Sequence, residues 1–305
     1  MELSLELVAK RDRLLAWLRD CGHVAVALSG GVDSAVVAQA AYLACGSQAL
    51  AITADSPSVP RAELAVARRL AEQIGIAHIV LPTQELEKAE YRRNDGLRCY
   101  HCKTELYTQI GRYLRSRGEP ESVWTIVSGA NRDDVGDFRP GLQAAAEQGV
   151  RHPLLELGIR KDEVRALARY WGLPVWNKPA SPCLSSRLAP GVEVTGERLR
   201  RIEAAEAFLR AQGVPDCRVR YHGDDLARVE VPLEYLPVLV SEPLRSHMTD
   251  ELLRLGFRYV TIDCQGLRSG SLNALVPLEI RLRYSGLGTR EPLVTDRCRG
   301  QSPPG

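Results

Sequence analysis

Residues 24–44 read VAVALSGGVDSAVVAQAAYLA. The opening VAVAL is a short apolar run of strand length, and Ser29-Gly30-Gly31 interrupts it with turn-forming residues. The small apolar residues that follow suit a helix, so the stretch predicts a strand, a tight loop and a helix in that order. The pattern recurs outward. ALAITAD (49–55) reads as a strand, and RAELAVARRLAEQIG (61–75) puts Leu64, Ala67, Leu70, Ala71 and Ile74 on one helical face. AHIVLP (77–82) is a third strand, 103–116 a helix, WTIVSGA (124–130) a fourth strand, and RKDEVRALARYW (160–171) an amphipathic helix. Strands alternating with helices predict an α/β fold built on a doubly wound, mostly parallel sheet.

The texture changes near Gly172. Pro174, Pro179, Pro182 and Pro190 forbid a long helix and predict an extended segment over 174–192, joining a first domain (1–173) to a smaller α+β domain (193–284). In the second domain the pattern predicts a helix over 197–212, strands at CRVRYH (217–222) and LARVEV (226–231), a helix ending near Gly256 and a strand at RYVTIDC (258–264). The tail, 285–305, is rich in Gly, Pro and charge and is expected to be disordered.

With 40 basic against 38 acidic residues among 305, the net charge of +2 provides no global field for nucleic acid or an anionic membrane. Anion binding must be local. The first twenty residues, MELSLELVAKRDRLLAWLRD, alternate charge and apolarity at helical spacing, unlike a signal peptide, and no later run has the length of a membrane span. The expected compartment is the reducing cytoplasm, where eight cysteines read as buried thiols, ligands or nucleophiles rather than disulfides. Cys21, Cys45, Cys217, Cys264 and Cys298 read as packing residues; Cys99, Cys102 and Cys183 stand in denser chemistry.

Ser29-Gly30-Gly31-Val32-Asp33-Ser34 lies where backbone N–H groups and a helix N-terminus can hold an anion. The glycines admit phosphate oxygens close to the backbone, Ser29 and Ser34 add hydroxyls, and Asp33 can help hold Mg²⁺. The GxxxxGK[ST] pattern and its lysine are absent. A plain Gly-Gly turn with a serine helix cap is the simpler alternative, against which the strand–loop–helix context weighs. The SGGxDS loop resembles that of the PP-loop ATP pyrophosphatases over the first 170 or so residues. That resemblance implies ATP cleavage between its α and β phosphates, with pyrophosphate in the loop and adenosine at the end of the second strand, here Thr53, Asp55 and Ser56. After the fourth strand, Ser128-Gly129-Ala130-Asn131-Arg132-Asp133-Asp134 adds Gly129 and Asp133 to the candidate ATP site. Asp133 or Asp134 can assist a metal or the ribose, and Arg139 a phosphate, although this composition is also ordinary turn chemistry.

Cys183 lies in the proline-stiffened loop KPASPCLSSR (178–187), between Lys178 and Arg187, which can stabilise a thiolate. Together with RCYHCK (98–103), GANRDDVGDFRPG (129–141) and GFRYVTIDCQGLRSGSLN (256–273), this loop resembles the LarE-type sulfur transferases up to about residue 275. The resemblance implies a small nucleotide substrate, a pyridinium biscarboxylic acid mononucleotide. ATP adenylates its carboxylate, a cysteine thiolate displaces AMP to give a thioester, and in the sacrificial form of the family that cysteine, matched by Cys183, becomes dehydroalanine. A second form of the family holds a [4Fe–4S] cluster on three cysteines, and Cys99, Cys102 and Cys183 leave that route open, although a CxxC pair also reads as a redox pair or half of a zinc site. His101 is turned away from them by its place in the turn. Arg187, Arg218 and Arg220 are candidates for the substrate phosphate, the last two alternating onto one strand face, which a solvated sheet face explains equally. Glu230 and residues 263–271 are candidate metal or substrate contacts. The resemblance also implies a homo-oligomer and downstream nickel-inserting or racemase proteins as partners. A tRNA thiolase is the alternative enzyme, drawing on Arg198, Arg200, Arg201, Arg210, Arg218 and Arg220, but the near-neutral charge and the lack of an RNA-binding appendage oppose it. An amide ligase would need a glutaminase-like module. A non-catalytic ATP- or AMP-binding module is the alternative outside enzymes.

Overall fold

The structure, a computed structural model, describes residues 2–118, 123–134, 139–268 and 270–285. The first part runs α1 (Leu5–Asp20), β1 (His23–Ala27), α2 (Val32–Cys45), β2 (Ala49–Asp55), α3 (Arg61–Ile74), β3 (Ala77–Pro82), α4 (Ala89–Arg92), α5 (Arg98–Ser116), β4 (Trp124–Val127), α6 (Pro140–Glu147), α7 (Pro153–Glu156) and α8 (Lys161–Tyr170). The second runs α9 (Gly196–Ala211), β5 (Arg218–His222), β6 (Leu226–Glu230), α10 (Leu236–Val240), α11 (Leu244–Arg254), β7 (Tyr259–Ile262) and α12 (Leu278–Ser285).

The first sheet is parallel in the order β3-β2-β1-β4. Its faces follow the two-residue period of β1. Val24 and Val26 enter a core shared with Leu14 and Leu18 of α1, Leu70 of α3 and Leu167 of α8, while Ala25 and Ala27 join Ile110 and Leu114 of α5 on the other face. Burying such a leucine contributes about 2 kcal/mol. Helix α2 is buried from Ser34 through Ala41 apart from Gln39, which its alanines permit without crowding the sheet. On α3 the five positions forecast from sequence are the buried ones, and the helix stops at Gly75, whose φ of +81° costs glycine little. The chain winds outward from β1 through β2 to β3, then returns to place β4 on the other side of β1. The loops after β1 and β4 therefore diverge at a switch point, where a crevice opens at the carboxyl edge of a parallel sheet.

The second sheet pairs β5 antiparallel and β7 parallel to β6. Its core takes Leu199, Ile202 and Leu209 from α9 and Val219 and Val229 from the strands. It also takes Tyr91 from α4, and Leu184 and Leu188 from the loop beyond Cys183. Asn94, buried at φ +53°, anchors this crossing by donating to Ala189 O at 2.8 Å and Val192 O at 3.0 Å, while its own carbonyl accepts from Gly191 N–H. The two halves are thus interleaved rather than merely linked at residue 173.

Elements β2 and β3 match the sequence forecast, whereas α5 starts at Arg98 rather than at residue 103. RCYHC carries no apolar stripe to announce a helix but no breaker either, so Cys99 and Cys102 occupy its first turns. The fourth strand stops at Val127 because Ser128 turns the chain out of the sheet. Within 174–192 a single 3₁₀ turn, Leu184–Arg187, is the one helical element. Ser285 closes α12, and the tail from 286, with Cys298, lies outside the described residues, as do 135–138 of the post-β4 motif and Ser269.

Candidate functional site

The Ser29–Ser34 loop is held by its own hydroxyls. Ser34 Oγ accepts from Ser29 N–H and donates to Gly31 O, each at 3.1 Å. Gly31 caps α2 without a side-chain hydrogen bond, so the first amides of that helix face the crevice with no internal acceptor. Gly30 has φ +81°, and a Cβ there would lie 3.0 Å from Glu63 O. Gly129, entering from β4, is still more confined: its Cβ would lie 2.6 Å from Ser34 N. The switch point is therefore closed at atomic contact between the two loops.

Asp33 faces the same crevice, its Oδ2 2.5 Å from Lys161 Nζ and its Oδ1 accepting from Asn131 Nδ2 at 2.9 Å. Asp133 accepts from Lys161 N–H at 2.7 Å, at the start of α8, and Asp134 pairs with Arg139 at 2.8 Å. At the end of β2, Thr53 donates to Leu28 O at 2.7 Å and shares a hydrogen bond with His78; Asp55 pairs with Arg61 at 2.6 Å, and Ser56 accepts from Ser58 N–H. These groups line the carboxyl edge where a nucleotide would lie.

His152 stands behind β4, its Nδ1 2.8 Å from Ser128 Oγ. Burial, opposed mainly by Glu156, pushes its imidazole down to about 4. The unfolded chain takes up this proton near pH 6.5, the folded chain only near 4, so the stabilisation is complete above 6.5 and lost as pH falls between the two values. The unfolding midpoint should fall through that window by the equivalent of about 3 kcal/mol, and His152→Gln should flatten the fall. A pH series of thermal melts on both proteins checks this; parallel curves would refute it.

Cys183 is half-buried and borders the same edge. Lys178, five residues before it, reaches Gly30 O at 3.2 Å and Glu63 at 2.6 Å, tying the cysteine loop to the phosphate loop. On the other side Leu184 N–H donates to Ser58 O at 2.8 Å. The Tyr91 hydroxyl bridges Ser58 Oγ at 2.7 Å and Ser185 Oγ at 2.6 Å, a buried clasp that sequence reading missed because its members lie 33 and 94 residues apart. Lys178→Met should leave Glu63 unpaired and loosen the loop, lowering stability by about 1–3 kcal/mol. Thermal melts of both proteins measure this, and unchanged melting would refute it.

The candidate arginines are engaged by the protein itself. Arg187 is 2% exposed, ion-paired with the equally buried Glu206 at 2.9 Å, and it donates to Pro182 O at 2.5 Å and Cys183 O at 3.2 Å. Arg220 is clamped to Glu230 at 2.9 and 2.7 Å and donates to Ser186 O at 3.2 Å. Both hold the backbone of the cysteine loop. Glu230 accepts from Arg220, Arg228 and the Ser271 hydroxyl. Half-buried Arg218 donates to Ala180 O at 3.0 Å and so brackets the same loop. A sequence has no local signal for this; isolated arginines gain such carbonyl partners only through folding.

Arg98 lies among the three thiols. Burial opposes its charge, but Cys183, Cys99, Tyr91 and Cys102 outweigh burial and hold its pKa above the ordinary arginine value. Burial first, and then Glu85, push the Cys102 thiol well up. The three cysteines share this neighbourhood, yet among the described residues no three His, Cys, Asp or Glu side chains are gathered closely enough to hold a metal ion.

A parallel sheet whose first loop is shaped to receive an anion at the switch point, without a Walker lysine, is the arrangement of a PP-loop ATP pyrophosphatase. Comparison with known proteins agrees. The model of the asparagine synthase family matches residues 16–100. An uncharacterized protein of Synechocystis is 42% identical over 88% of this chain and 99% of its own. Pyridinium-3,5-bisthiocarboxylic acid mononucleotide synthase of Lactiplantibacillus plantarum is 35% identical over 88% of this chain and 95% of its own. A tRNA-specific 2-thiouridylase of Xanthobacter autotrophicus is 29% identical over 52% of this chain and 49% of its own. The chain belongs to the LarE family of PP-loop proteins and is an ATP-using enzyme that makes AMP and pyrophosphate. No helix among the described residues is long and apolar enough to cross a membrane.

Proposed function

We propose that this enzyme adenylates a carboxylate of a pyridinium dicarboxylate mononucleotide and replaces one of its oxygens with the sulfur of Cys183. The observation that carries the reading is the lacing of one loop to two others. Lys178 reaches Gly30 while Leu184 is bonded to Ser58, so Cys183 stands between the anion cradle and the nucleotide edge. In the first step a substrate carboxylate oxygen attacks the α-phosphorus of ATP, and pyrophosphate leaves into the amides of Gly31 to Ser34 and the Ser29 and Ser34 hydroxyls. Mg²⁺, arriving with ATP, neutralises the leaving diphosphate, and Asp33 is the loop carboxylate that would hold it, the remaining positions going to phosphate and water. Lys161 and Asn131 keep Asp33 turned toward that position.

The Cys183 thiolate then attacks the acyl carbon, AMP departs with the electron pair of the broken C–O bond, and a thioester joins protein and substrate. Release of sulfur by cleavage of the Cβ–S bond completes the transfer. Delivery of a cluster-bound sulfide would instead require Cys99, Cys102 and Cys183 to converge on one metal centre. Arg218, at the rim of the loop, is a candidate for a substrate phosphate. Intact-protein mass spectrometry after one anaerobic turnover tests the reading. Loss of the elements of H₂S at Cys183 is the expected result, and thiocarboxylate produced by an unaltered polypeptide would overturn it.

A further inference from the structure

The Cys183 carbonyl oxygen accepts three hydrogen bonds: from Ser186 N–H at 3.0 Å, Ser186 Oγ–H at 2.7 Å and Arg187 Nη1 at 3.2 Å. A 3₁₀ turn requires only the first of these. The third comes from a guanidinium that is 2% exposed and fixed by an equally buried carboxylate, Glu206. Glu206 also accepts from Val219 N–H at 3.2 Å, which fixes the pair to the second sheet. A charged donor is thus aimed at a neutral carbonyl, although Pro182 O, 2.5 Å from the same nitrogen, already offers it an acceptor.

We infer that Ser186 and Arg187 form an oxyanion hole for Cys183's own backbone carbonyl, and that it acts in the step that breaks the Cβ–S bond. The inference rests on the proposed sacrifice of Cys183. In the thioester, the proton on Cα of Cys183 passes to solvent base. The electron pair left on Cα is shared with the adjacent carbonyl, whose oxygen becomes an enolate oxygen. That pair then forms the Cα=Cβ bond, and the Cβ–S pair leaves on sulfur. The products are a substrate thiocarboxylate, dehydroalanine at position 183 and one released proton, so no oxidant or reductant is consumed. The α-proton of a peptide residue is a very weak acid, and the barrier lies in the charge that develops on this oxygen. Donors already in place strengthen as that charge grows, which lowers the transition state more than the ground state. Arg187 Nη1 contacts Pro182 O, Cys183 O and Ser186 Oγ with two protons, so its hydrogen bonds can shift toward Cys183 O as the enolate forms. Glu206 is a positioning residue: it keeps the guanidinium plane facing the turn.

The test measures dehydroalanine formation per thioester already formed, by quenched intact-protein mass spectrometry after one turnover with ATP and the pyridinium dicarboxylate mononucleotide. Ser186→Ala deletes one donor without entering the buried ion pair, and Arg187→Lys keeps the charge while removing the fork. Each variant is expected to accumulate the thioester adduct and to form dehydroalanine about 10²-fold more slowly, the loss typical of one oxyanion-hole donor. Solvent deuterium should also enter the α-position of Cys183 more slowly in Ser186→Ala, a readout that a merely structural role would leave unmoved. Dehydroalanine forming at the wild-type rate in Ser186→Ala and in folded Arg187→Lys would overturn the oxyanion hole and leave the sacrifice of Cys183 standing. Thiocarboxylate formed by the wild type with no dehydroalanine at all would overturn both.

Discussion

Cys183→Ala is expected to form no thiocarboxylate, a loss of at least about 10³-fold, while still splitting ATP into AMP and pyrophosphate. The separation follows from how the loop is held. Leu184 N–H, Ser185 Oγ, and the carbonyls of Pro182 and Ser186 carry its contacts to Ser58, Tyr91, Arg187 and Arg220, and none of them uses the thiol. Alanine therefore keeps the loop in place and removes only sulfur. The phosphate loop stays intact, so the acyl adenylate still forms and is lost to water. Pyrophosphate release measured beside mass-spectrometric detection of thiocarboxylate checks this directly. Cys183→Ser sharpens the result, because an oxygen nucleophile in the same position can acylate but carries no sulfur to give. Thiocarboxylate from either variant would remove Cys183 from the chemistry.

Gly129→Ala should stop the first half-reaction. An added Cβ would lie 2.6 Å from Ser34 N, 2.8 Å from Asp33 C and 2.9 Å from Ser34 Cα, all backbone atoms of the first turn of α2. Backbone in a helix packed on both sides cannot yield as a flexible side chain would, so the loops separate and the amides lose their common focus. Pyrophosphate release is expected to fall by about 10²-fold, with a loss of about 1–3 kcal/mol in stability. Gly223→Ala, in the turn between β5 and β6, is the control, since an added Cβ there would meet no atom within 4 Å. Thermal unfolding together with pyrophosphate release separates the two substitutions; equal activity in both would show that the contact at Gly129 is not decisive.

Much of the first sheet was legible because its signals are local. VAVAL, ALAITAD and AHIVLP are apolar runs of strand length, and the apolar face of α3 shows in its own fifteen residues. The phosphate loop was legible for the same reason, its glycines and serines being contiguous. The surroundings of Cys183 were not. Arg187 and Arg220 look like phosphate ligands in a sequence, since an arginine's partners are unspecified until distant Glu206 and Glu230 are folded against it. Tyr91 and Asn94 lie in a stretch without amphipathic pattern, and their value comes from carbonyls and hydroxyls about a hundred residues away. Long-range polar satisfaction leaves no periodicity to read.

The interleaving of α4 with the second core alters what a fragment of this chain would be. Residues 1–173 on their own would carry a tyrosine ring with no cavity to receive it and an asparagine amide turned toward carbonyls that are missing. Residues 174–285 would begin with a loop deprived of the tyrosine hydroxyl and the Ser58 carbonyl against which it sets. The nucleotide-handling half and the sulfur-bearing half are therefore inherited as a single object, and a recombination joint placed at the proline-rich stretch would sever the one region that neither parent could rebuild.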